Sequence, residues 1–236
     1  MPPTKKEARI AGLLYLLMTV TGVFCLIVVP GKLFVRGNAA ATASNILAHE
    51  SLFRAEIVVG IVSCLAFVFT ALALYRMLEG VDRRHAAVMA VLVLIQVPQS
   101  FASELTHLAA LALARGTDFL SVFDKPQRDA LAMLFLHIDG QGELVSQIFW
   151  GLWLFPLGLL VWRSGFLPRF LGGWLIVNGL AYLANSFTGL LLPQYLEIVS
   201  KITLPFLLGE VAFTLWLLIV GVRVGPARRA VASAAG

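Results

Sequence analysis

Hydrophobic and polar positions along this chain come in long blocks, not short periods. Runs of more than roughly 18 apolar residues mark membrane helices. The blocks predict six of them, over residues 8–29, 52–78, 85–114, 127–162, 170–192 and 198–222. Pro30 and Gly31 are expected to end the first helix. The connection from Lys32 to Ser51 holds a stretch, Asn38 to Ile46, that predicts a short helix at the membrane surface with Asn38 as its N-cap. Pro98 is expected to kink the third span, because proline removes one backbone bond and crowds the preceding turn. The fourth run is too long for one ordinary span. It predicts an entry section, 127–139, a bend at Gly140 and Gly142, and a span from about 141. Pro193 closes the fifth helix, and Pro205 and Gly209 lie inside the sixth. Gly151, Gly158, Gly165, Gly172 and Gly173 are spaced for helix packing and not for phosphate binding. Residues 225–236 predict a disordered tail. The fold class is therefore all-α: a polytopic membrane helical bundle in one domain, 1–224, with six transmembrane helices and a short surface helix in the first outer loop.

Composition agrees. The 236 residues are 59% hydrophobic and only 13% charged, against about 25% charged in soluble domains. Continuous apolar runs without period-two alternation argue against a β-barrel. The first run is longer than a usual signal-peptide core and no A-x-A site closes it, so it reads as a helix that stays in the protein. The net charge of +5 is no nucleic-acid signal, because Lys and Arg cluster at the ends of the apolar runs, where headgroups and the orientation rule account for them. Eleven of them fall on the side of the termini (Lys5, Lys6, Arg9, Arg76, Arg83, Arg84, Arg163, Arg169, Arg223, Arg228, Arg229) and seven on the other. That bias predicts both termini in the cytoplasm. Cys25 and Cys64 both fall inside spans and read as small buried hydrophobes, with no disulfide or zinc spacing.

Candidate chemistry sits in the polar positions that interrupt the apolar blocks. Glu104 is the one charged residue between His85 and Arg115, and His107 follows it at i, i+3, on the same helix face. His137, Asp139, Gln141 and Glu143 open the deep part of the fourth span, and Glu210 lies two to three turns into the sixth. Ionisable groups inside a membrane are costly and are tolerated where they face a protein interior, a partner or water. Counting turns puts Glu104, His107, His137, Asp139, Glu143 and Glu210 at one depth, with Arg54 and Glu56 at the mouth. The Glu-x-x-His element is the one that carboxylate-bridged metal bundles use twice; here it occurs once. Glu104, His107, His137 and Glu143 form the metal-ligand set it predicts, with zinc or iron as the metal.

Several blocks, in order, resemble a known family. They are Arg9-Ile-Ala-Gly-Leu-Leu-Tyr-Leu, Ala41-Thr-Ala-Ser-Asn-Ile-Leu, Ser51-Leu-Phe-Arg54, the stretch Asp139 to Glu143, and Arg163-Ser-Gly-Phe-Leu-Pro-Arg169. Their order and spacing resemble the prokaryotic multi-pass membrane family known as domain of unknown function 4386, over roughly residues 9 to 222. The resemblance implies six or seven membrane helices and a bacterial or archaeal setting, hence the plasma membrane. It implies no activity and no site residues.

Three functions follow. The preferred one is a polar carboxylate and histidine cavity in the outer half of the bundle that binds a small ligand, ion or proton, for transport or sensing. The second is an intramembrane zinc- or iron-dependent enzyme acting on a lipid-like substrate. The third is a structural or assembly subunit, whose buried polar groups merely tie helices together. Expected partners are membrane lipid and a small-molecule or ion ligand, with an oligomer left open.

Overall fold

The computed structural model of the chain describes residues 3–222; the expected disordered tail, 225–236, lies outside them. All regular structure among the described residues is helical. Seven helices follow one another: α1 Lys5–Leu33, α2 Ala39–Ala48, α3 Glu50–Leu78, α4 Arg83–Arg115, α5 Lys125–Arg163, α6 Arg169–Leu191 and α7 Leu196–Ile219. All but α2 are long and apolar enough to cross a membrane, so the protein is an all-α, multi-pass membrane protein.

Local chemistry accounts for the ends and for two departures from expectation. Asn38 caps α2 as predicted, its Oδ1 accepting from the Ala41 N–H at 2.9 Å. Asn45 donates to the Leu33 carbonyl and Thr42 Oγ1 accepts from the Val35 N–H, which tie α2 back to the end of α1. The first departure is at Pro30, which does not end α1. A π-helical turn over Phe24–Val28 precedes it, the Val29 N–H reaches the Phe24 carbonyl, and the helix runs on to Leu33. A widened turn absorbs a residue that has no N–H to give. The second is α5, which is continuous over 39 residues with no break at Gly140 or Gly142. Gly142 serves close approach: a Cβ there would stand 2.5 Å from Gln99 Nε2 on α4. Pro98 and Pro156 likewise lie inside unbroken helices.

The described residues divide into two compact units. One holds 3–16, 67–94 and 147–222; the other holds 17–66 and 95–146. In the first unit, α5 and α6 pack through paired glycines, Gly151 against Gly179 and Gly158 against Gly172, with Tyr15, Trp153 and Phe213 forming an aromatic core. Gly165 does not take part in that packing. It turns the chain between α5 and α6 at φ +72°, a conformation open to glycine. In the second unit, Val29, Leu33, Ile46, Phe53, Ile57, Leu111 and Leu136 make a continuous core from α1, α2, α3, α4 and α5. Glu56, Glu104, His107 and Asp139 belong to this second unit.

Candidate functional site

Helix α4 carries Glu104 and His107 one turn apart, and both turn inward in the second unit, where His107 is 7% exposed. Helix α3 brings Glu56, also buried, and α5 brings Asp139. His107 is the centre of the group. Its Nε2 lies 3.2 Å from Asp139 Oδ2 with hydrogen-bond geometry. The other Asp139 oxygen accepts from the Ser103 hydroxyl. An ionised carboxylate only accepts, so Nε2 carries the proton. The ring packs against Phe53, centroids 5.5 Å apart, which fixes its plane.

The opposite nitrogen, Nδ1, is 3.0 Å from Glu56 Oε2 and 3.9 Å from Glu104 Oε2. The shorter separation is that of a hydrogen bond, but its direction is not. Nδ1 and both carboxylate oxygens are buried and make no hydrogen bond among the described residues. These three atoms lie within 4.8 Å of one another. They converge on a common point instead of pairing. Leaving buried polar atoms unpaired costs about 1–3 kcal/mol each, more for charged ones, so the arrangement calls for a fourth participant.

Gly60 makes room for this. A Cβ on Gly60 of α3 would collide with the Glu104 carboxylate, standing 2.7 Å from its carbon. Only glycine lets Glu104 lie flat against α3 and present Oε2 to His107.

Of the residues the sequence singled out, the structure brings Glu104, His107, Asp139 and Glu56 together. Glu56 is a correction in position: it was expected at the mouth beside Arg54, and it lies at the centre. Arg54, two residues earlier and so on the opposite face, is exposed and bonds Glu50 at 2.6 Å. Glu50 also takes Arg115 at 2.8 Å, so Arg54 belongs to an ion group at the helix ends. His137 is a second correction. It is exposed, because two helical residues separate it from the inward-facing Asp139 by about half a turn. Glu143, one turn beyond Asp139, is half-buried and supplies none of the three converging atoms. Glu210 belongs to the first unit, where Tyr15 and Asn178 hold it. Ser103 and Gly60 were not predicted. The i, i+4 spacing of Ser103 and His107 was visible, but it carried no sign that both would meet one carboxylate.

Six membrane-length helices with a buried Glu–Glu–His group define a multi-pass membrane protein with an intramembrane polar centre. The chain belongs to the family described as domain of unknown function 4386 (DUF4386), whose sequence model matches residues 10–221. It is similar to an uncharacterized protein of Archaeoglobus fulgidus, 32% identical over 77 residues. That match covers 33% of this chain and 44% of the relative, less than half of its length. No solved structure matches.

Proposed function

We propose that this membrane protein holds a divalent transition-metal ion, zinc or iron, through His107 Nδ1 and the carboxylates of Glu56 and Glu104. The observation that carries the reading is the convergence of three buried, unsatisfied ligand atoms, with the far side of the imidazole donating to a carboxylate. Two donors about 2.1 Å from a tetrahedral ion stand about 3.4 Å apart, and the 3.0 and 3.9 Å separations bracket that value. Asp139 is the outer partner that metal-bound histidines use to fix tautomer and raise ligand basicity. Charge supports the same reading. Three carboxylates surround one imidazole, and a dication would balance the two that lack other donors. Three protein ligands leave a coordination position for water or substrate, the pattern of catalytic and not of structural zinc. We further propose that the protein sits in a prokaryotic plasma membrane with both termini cytoplasmic, on the strength of the Lys and Arg distribution.

Elemental analysis of the protein purified in lipid without chelators tests this. The expected result is about one zinc or iron per chain. Asp139→Asn should lower affinity by about 10–100-fold without removing a ligand. Metal-free protein that also fails to take up zinc or ferrous iron would refute the proposal.

Gly60→Ala probes the same centre without touching a donor atom. The added methyl meets only the far end of a flexible side chain, so Glu104 should swing aside while the helices stay in place. Metal affinity is expected to drop on the order of tenfold or more, with helical content unchanged by circular dichroism. An unaltered affinity would mean that Glu104 is not a ligand.

A further inference from the structure

The first unit contains a second polar centre that the metal site does not use. Glu210 on α7 accepts a hydrogen bond from Tyr15 on α1, Oη to Oε1 2.5 Å. Its other oxygen, Oε2, is 3.3 Å from the amide of Asn178 on α6. Tyr182, one turn beyond Asn178, also directs its hydroxyl at the carboxyl group. Tyr15 and Asn178 are fully buried, and Trp153 and Phe213 pack on the Tyr15 ring. Among the described residues, the titratable groups that face Glu210 are the two tyrosines, neither of which brings a positive charge.

Asn178 reports the state of the carboxyl group. The orientation that satisfies its amide turns the nitrogen to the backbone carbonyls of Phe206 and Leu207, at 2.9 and 3.0 Å. Its oxygen then faces Glu210 Oε2. Two acceptors would repel there unless the carboxyl carries a proton and donates it. The satisfied orientation therefore suits the carboxylic acid. Gly209 leaves room for the amide, since a Cβ there would stand 3.2 Å from its end and 2.8 Å from the Trp174 ring.

We infer that Glu210 is a proton-binding site within the membrane, with Oε2 carrying the proton and donating it to the Asn178 oxygen. Loading takes one proton from water onto Oε2, and unloading returns it. Tyr15 donates to Oε1. This site is independent of the metal centre and stands if that centre fails.

The test is infrared difference spectroscopy of the full chain in lipid during a pH titration. A carboxylic C=O band is expected to appear and vanish with pH. Glu210→Gln should remove the carboxylic band. Tyr15→Phe keeps the carboxyl group but deletes a donor to it, so it should move the band to higher frequency. That second variant carries the assignment should Glu210→Gln fail to assemble. A band that persists in Glu210→Gln, that stays put in Tyr15→Phe, or that never titrates would overturn the proposal.

Discussion

Replacing His107 by alanine is expected to abolish metal retention altogether, a loss well beyond the 10–100-fold range of an outer-sphere change. His107 is the residue through which every other member of the centre is joined. Its Nδ1 faces Glu56 and Glu104, and its Nε2 holds Asp139. Without it, three carboxylates face one another with no cation and no imidazole between them. Breaking a buried charged network in this way costs about 3–5 kcal/mol, part of it relieved by protonation of a glutamate. The measurement that separates a metal centre from a simple ion network is linkage. A ligand at a hundred times its dissociation constant stabilises the state that binds it by about 2.7 kcal/mol. Thermal unfolding followed by tryptophan fluorescence should show the wild-type protein rising with added zinc or ferrous iron and falling with a chelator. His107→Ala should respond to neither. A wild-type protein equally indifferent to metal and chelator, yet destabilised by His107→Ala, would reduce the centre to a set of helix-tying hydrogen bonds.

What the sequence disclosed about this centre follows from what hydropathy measures. Depth along a helix can be counted from its ends, and a charge inside an apolar run is conspicuous. Glu104, His107 and Asp139 were found that way. Facing is harder to read in a helix whose apolar residues run all the way round, because polar residues two apart point in opposite directions and the pattern does not say which one turns inward. Glu56 against Arg54 and Asp139 against His137 are both such pairs, and in each the position assigned from sequence needed correcting for one member. Lateral order is absent from hydropathy altogether. Counting turns assigned Glu210 the depth of Glu104, but its partners Tyr15 and Asn178 come from helices that no periodicity links to it. The six spans were legible to within a few residues because their signal is length and composition. The continuity of α5 was not, since a glycine that admits a neighbour and one that bends a helix look alike in a sequence.

The same ambiguity makes Gly172→Val the substitution expected to cost most outside the polar centres. An ideal Cβ on Gly172 would stand 2.6 Å from the Gly158 carbonyl oxygen and 2.8 Å from the Trp162 nitrogen, and one on Gly158 would meet the Gly172 oxygen at 2.7 Å. Seven residues along each helix, Gly151 and Gly179 repeat the contact, each Cβ 2.7 Å from the other's carbonyl oxygen. These neighbours are backbone, so nothing can swing aside and α5 and α6 must separate. In lipid there is no hydrophobic force to hold two helices together, and close van der Waals packing between small residues supplies much of the attraction. Overpacking costs about 1–3 kcal/mol at a single site, and valine against two backbone atoms belongs at or beyond the upper end. The control is Gly140→Ala on the same helix α5, where a Cβ meets nothing within 4 Å. There the gain of about 0.5–1 kcal/mol in helix propensity over glycine has no opposing term, so stability should hold or rise. Unfolding in lipid or mild detergent should therefore come earlier for Gly172→Val and no earlier for Gly140→Ala. Equal tolerance at Gly140 and Gly172 would mean that α5 and α6 do not pack through their glycines.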